Sequence, residues 1–173
     1  ANDEAYATVP VGSHRETHAV NGRAFKRWLA QQYYQATKEP LKPDVLSGML
    51  STYEARALFD GQRHEVAVRM ASFGGTLWLD LCDAEWRVVR IDADGWRVER
   101  ESPVRFLRRP GMLALPEPVR GGSIDDLRAL INLADDAAWV LVLAWLVAAL
   151  RHVGPYPLLA VNGEQGSAKS TLC

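Results

Sequence analysis

The hydrophobic period of this chain changes at Asp60–Gly61, and the change orders its structural classes. Before that point apolar residues recur at helical spacing. Phe25, Trp28, Leu29 and Tyr33 do so in a stretch that Asn21 is expected to cap and that runs to about Thr37. Lys38-Glu-Pro-Leu-Lys-Pro43 breaks it, and a second helix is predicted over residues 44–59, with Val45, Leu46, Met49, Leu50, Tyr53, Ala57 and Leu58 on one broad face. After Gly61 the period is two. Val66, Val68 and Met70 alternate with Ala67, Arg69 and Ala71, and Leu77, Leu79 and Leu81 alternate with Trp78 and Asp80. Two further strands are predicted at residues 86–91 and 96–101, with Asp94-Gly95 as the hairpin turn between them. Ahead of the helices, residues 6–11 and 16–20 read as strands joined by Gly12-Ser-His-Arg15, and Pro10 puts the first of them at a sheet edge. The expected fold class is therefore an α+β N-terminal domain: a hairpin, two helices and a four-strand antiparallel meander.

Residues 109–122 hold three prolines and three glycines, the composition of a linker. They divide an accessory domain, residues 1–118, from a second region, residues 119–173. In that region Ser123 opens a short helix with Asp126 at the reciprocal capping position. Asp135-Asp136 starts a helix whose apolar run from Ala137 to Leu150 is expected to be buried on all sides. At about fourteen residues the run falls short of the eighteen or more that suggest a membrane span. Leu158-Leu-Ala-Val161 is wholly apolar, as a central parallel strand would be.

Bulk properties exclude more than they select. At 48% hydrophobic and 24% charged residues the chain has a globular composition, and its formal net charge of -1 gives no overall attraction to nucleic acid. Two cysteines, Cys82 and Cys173, are too few for a disulfide scaffold and fit a reducing, cytoplasmic setting. No signal peptide is evident. The acidic first residues lead straight into strand-like sequence, as though the chain began within a longer protein.

Chemistry concentrates in Gly163-Glu-Gln-Gly-Ser-Ala-Lys-Ser-Thr171. A phosphate-binding loop needs a buried strand, glycines that let backbone N–H groups approach the phosphates, and Lys then Ser/Thr where a helix begins. Gly163 and Gly166 supply the turn, and Ser167 and Ala168 lead to Lys169, the catalytic candidate, placed to reach the β- and γ-phosphates of ATP. The Ser170 hydroxyl would ligate Mg²⁺ carried by the nucleotide, and Thr171 would sit in the first helical turn. Ala168 stands where the consensus has glycine. A helix's first turn has φ below zero, so the extra methyl is tolerable. This is the truncated start of an α/β P-loop NTPase domain, and the helix after the loop stops within about one turn. So short a helix does not persist in water, so residues from Gly163 onward are expected to be mobile or held by a neighbouring chain.

His14-Arg-Glu-Thr-His18 lacks the glutamate directly after the first histidine that a zinc protease helix requires, and reads as solvent-exposed polar residues. Arg87, Arg90, Arg97, Arg100, Arg105, Arg108 and Arg109 fall close together with Trp78, Trp86 and Trp96 among them. They form either a cationic face with stacking aromatics, Arg105, Arg108 and Arg109 being the nucleic-acid candidates, or a solvated face diluted by Asp92, Asp94, Glu99 and Glu101. Trp139 and Trp145 read as helix packing residues, and nothing beside Cys82 in sequence would lower its pKa.

The runs Tyr-Ala-Thr-Val-Pro-Val, Arg-Ala-Phe-Lys-Arg-Trp-Leu, Glu-Ala-Arg-Ala-Leu-Phe-Asp-Gly and Ala-Trp-Leu-Val-Ala-Ala-Leu-Arg, followed by Gly-Glu-Gln-Gly-Ser-Ala-Lys-Ser-Thr, resemble a phage- and prophage-type ATP-binding protein. That family is similar to primase–helicase proteins with a C-terminal virus-type, AAA+-like helicase domain, and the loop itself is similar to that of the MCM replicative helicases. The resemblance implies ATP and Mg as cofactors, DNA as the parent protein's partner, and a homo-oligomer, a hexamer in the parent. It implies that the Walker B carboxylates, the polar sensor and the arginine finger lie beyond Cys173, so this segment alone is expected to bind ATP weakly or not at all and not to turn it over. Two other readings remain open: a DNA- or primase-binding accessory module whose P-loop is a passenger, and a P-loop NTPase of another class.

Overall fold

The structure, a computed structural model, describes residues 4–162. The chain divides into two compact units, Ala1–Leu115 and Pro116–Cys173.

The first unit opens with β1, Tyr6–Val11, and β2, His14–Ala19, paired antiparallel from Tyr6↔Ala19 to Val11↔His14. The turn is Gly12-Ser13, and Gly12 has φ of 57°, a left-handed conformation that glycine adopts without a Cβ clash. α1, Arg23–Thr37, and α2, Pro43–Phe59, follow. Asn21 does not cap α1. The cap is Gly22, without a side-chain bond, and the Asn21 amide instead donates to Glu54 on α2 at 2.8 Å. Lys38 ends α1 in the left-handed conformation, its N–H bonded to the Tyr34 carbonyl. Pro43 occupies the first turn of α2, where its missing N–H costs nothing. Ala5, Val9, Val20, Phe25, Leu29 and Leu50 are buried together, so the hairpin and both helices share one small core. The broad apolar face expected of α2 is only partly used. Leu46, Met49 and Ala57 pack against the core while Leu58 is exposed.

The meander is β4 Met70–Phe73, β5 Thr76–Asp80, β6 Val88–Asp92 and β7 Gly95–Glu99, antiparallel in the order β4-β5-β6-β7. The alternation expected from Val66 onward is interrupted at Arg69, whose φ is 67°. That break separates β3, Val66–Ala67, which pairs in parallel with β8, Arg105–Phe106. One parallel bridge, Thr17↔Leu107, links the hairpin to the segment following β8. Trp78, Val88 and Phe106 form the second core on the Trp78 face of the meander, and Val89, which alternates with Val88 on β6, is buried on the other face.

The second unit holds α3, Ile124–Leu130, and α4, Asp136–Ala149. Ser123 and Asp126 form the reciprocal cap, and the Asp135 carboxylate accepts the Ala138 N–H at 2.8 Å. Two expectations fail here. α4 is not buried on all sides: Trp139 is buried, but Leu141 is 70% exposed and Val140 and Val147 are exposed as well. Among the described residues the unit has one other helix, of seven residues, too little surface to surround α4. Residues 158–161 form no strand, and Leu158 is 97% exposed. A parallel strand exists only beside a neighbour that takes its N–H and C=O groups, and the described residues of this unit contain no strand at all. Among the described residues no helix is long and apolar enough to cross a membrane.

Candidate functional site

The residues expected to bind nucleotide, Gly163, Gly166, Ser167, Ala168, Lys169, Ser170 and Thr171, lie outside the described residues, as does the mobility expected from Gly163 onward. What the structure organises is the basic, tryptophan-containing part of the first unit.

Its centre is Asp80, at the end of β5. The side chain falls on the Trp78 face and is 1% exposed. Charge at such depth is tolerated only when paired and hydrogen-bonded. Arg108 supplies the pair in fork geometry: Nη2 donates to Oδ1 at 2.7 Å and Nε to Oδ2 at 2.9 Å. The Cys82 backbone N–H donates to Oδ1 at 3.0 Å and its thiol to Oδ2 at 3.2 Å. Arg108 also donates to the Asp83 carbonyl, and its guanidinium lies 3.9 Å from the centroid of the Trp86 ring. The opposite strand end is tied in by Arg69, which donates to the carbonyls of Asp80 and Leu113.

Three non-glycine residues at this centre have left-handed backbones, Arg69 at φ 67°, Cys82 at 54° and Trp86 at 57°. Each such residue costs about 1–2 kcal/mol and persists where surrounding bonds over-determine it. The bonds to Asp80 and Asp83 do so here. Burial pushes the Cys82 thiol up to about 11, helped by its bond to Asp80 and that carboxylate's charge, which keeps the sulfur protonated. Burial also raises Asp83, but the Arg87 N–H and guanidinium, with Arg108 beyond, outweigh it and hold the carboxyl below its usual range.

His14, Glu16 and His18 share one face of β2 and are not the exposed polar residues the sequence suggested. They are mostly covered: Glu16 accepts from or pairs with His14 Nε2 at 3.0 Å and His18 Nε2 at 2.8 Å. The Trp86 ring stacks on His14 and meets His18 edge-on, with centroids 6.4 and 6.1 Å away. The hairpin thus joins the Asp80 centre through one tryptophan. Among the described residues no cluster of His, Cys, Asp and Glu is arranged to hold a metal ion.

The arginines divide sharply. Arg90 and Arg97 stand opposite each other across β6 and β7, but Arg90 pairs with Asp92 at 3.0 Å and Arg97 with Glu99 at 2.8 Å. Arg87 pairs with Asp83 at 2.6 Å and Arg100 with Glu85 at 3.5 Å. The meander therefore has no uncompensated cationic face; the diluting acids are in register with the cations. Of the three nucleic-acid candidates, Arg108 is consumed by Asp80 and Trp86, with 16% of its side chain exposed. Arg109 is exposed, and Arg105 is half-buried beside a cleft of about 590 Å³ between the hairpin and the β7–β8 connection. The Asp80–Arg108 pair was within reach of sequence reasoning. A lone acid on the tryptophan face of an alternating strand is a signal for a buried partner; nothing in sequence says that the partner is twenty-eight residues away. The chain matches no protein-family model, no curated protein and no solved structure.

Proposed function

We propose that this chain is the ATP-binding segment of a phage- or plasmid-type DNA replication helicase. The α+β unit would be the accessory domain ahead of the motor. The observation that carries the reading is the run from Gly163 to Thr171, with its glycines, lysine and hydroxyls at phosphate-loop spacing directly after an apolar run. Lys169 would hold the β- and γ-phosphates, the loop N–H groups would cradle them, and Ser170 would meet the Mg²⁺ that accompanies ATP. ATP hydrolysis, DNA translocation and hexamer formation belong to the parent protein in this reading.

The test is a titration of the chain with Mg²⁺ and ATP, followed by broadening of the ³¹P resonances. Weak binding with broadening of the β- and γ-signals, abolished by Lys169→Ala and with no phosphate release, is the expected result. Broadening that survives Lys169→Ala, or none at any ATP concentration reached, would overturn the assignment of this stretch.

A further inference from the structure

The cleft beside Arg105 is built from the β1–β2 turn on one side and the β7–β8 connection on the other. Ser13, Arg15 and Thr17 from the hairpin and Arg100, Ser102 and Arg105 from the connection all line it. Arg15 and Arg105 both line the cleft, and like charges gathered in one cleft repel unless a counter-charge joins them. Arg87, Arg90, Arg97, Arg100 and Arg108 all have acidic partners. Among the described residues neither Arg15 nor Arg105 has a hydrogen-bonded or ionic side-chain partner, though Arg105 is half-buried. The lining acids do not change this: Asp80 is bound by Arg108, and Glu101 sits exposed at the rim.

Two unpaired guanidinium groups flanked by hydroxyls are a donor set for a phosphate, and the volume admits a nucleotide-sized segment. We infer that this cleft binds the phosphodiester backbone of a single nucleic-acid strand, with Arg15 and Arg105 on phosphate oxygens. The phosphate chemistry follows from the geometry, whereas the choice of a strand over a free phosphate rests on the helicase reading above. The contact is sequence-independent, because nothing in the donor set reads a base edge.

The experiment is a fluorescence-anisotropy titration of labelled oligo(dT) with the whole chain at two salt concentrations. Each single-strand phosphate contact releases about 0.7 counterion, so losing one should weaken binding about fivefold at 0.1 M salt. Arg15→Glu and Arg105→Glu are each expected to do at least this and to flatten the salt dependence, while Arg97→Glu stays within twofold of the parent. Arg15 is exposed on the hairpin, so its variant does not depend on Arg105→Glu folding. Absence of binding by the parent, an unchanged Arg15→Glu, or equal loss in Arg97→Glu overturns the inference. Inorganic phosphate or ATP binding with Arg15 dependence, without oligo(dT) binding, overturns the strand assignment and leaves a small-anion site. Oligo(dT) binding in a chain whose ³¹P titration shows no nucleotide defeats the motor reading alone. Nucleotide binding without oligo(dT) binding defeats the cleft alone.

Discussion

Truncating Arg108 to alanine strips a bidentate guanidinium from a carboxylate that is 1% exposed. Breaking one side of a buried ion pair costs about 3–5 kcal/mol, because the remaining charge is left without compensation. Two features set the expected value near the lower end. The Cys82 N–H and thiol still reach Asp80, and the space vacated beside Trp86 lets water in. The unfolding free energy of the first unit should thus fall by about 3 kcal/mol. With a urea slope of about 1–1.5 kcal/mol/M for a unit of this size, the midpoint drops by about 2–3 M. Urea titration followed by tryptophan fluorescence measures it, since Trp86 loses its cation in the variant. The double variant Asp80→Asn, Arg108→Met supplies the control. Removing both charges should cost less than the sum of the single changes, with a coupling of about 1–3 kcal/mol. A loss below about 1 kcal/mol in Arg108→Ala, with coupling near zero, would refute the view that this pair holds the β5–β6 loop in its left-handed conformations.

The Cys82 thiol, held up at about 11 by burial and then by its bond to Asp80, should react with iodoacetamide at pH 8 far more slowly in the native chain than in urea; equal rates would show that the folded chain does not shield and protonate it in this way. Asp83 is depressed in the folded state, so its contribution to stability is present above the unfolded carboxylate pKa of about 3.9 and is lost as pH falls through the lower folded value. Asp83→Asn should therefore cost stability at pH 7 and little near pH 2, as measured by thermal melts across that window. A pH-independent loss would contradict the linkage.

Local pattern was legible where it depended on near neighbours. The meander, the break after Thr37, and the Ser123 and Asp135 caps follow from period, turn chemistry and short side-chain reach. Asn21 misled because its amide had a distant competitor, Glu54, which no local rule weighs. Phe106, arriving from β8 to pack with Trp78 and Val88, was equally out of reach of local pattern. Composition overstated α4 and residues 158–161, since an apolar sequence specifies a need for cover and does not provide it. The arginine cluster was ambiguous in sequence because cross-strand register, which pairs Arg90 with Arg97 and brings Asp92 and Glu99 beside them, is set by the turn at Asp92–Gly95.

The parallel pairing of β3 with β8 makes the whole meander an excursion between two neighbouring strands. Its hairpins join residues close in sequence and can form within microseconds, whereas β8 must wait for the chain between to become compact, and the Thr17–Leu107 bridge spans ninety residues. Sequence separation predicts that assembly runs from the meander outward, with β8 closing late. Trimming Phe106 should consequently act mainly on the rate at which the unit opens and barely on the rate at which it first collapses. On that order the cleft lined by Arg15 and Arg105 would be completed by the same closing step. A molecule that grips both sides would slow the unit's opening, so occupancy would register as kinetic resistance to unfolding.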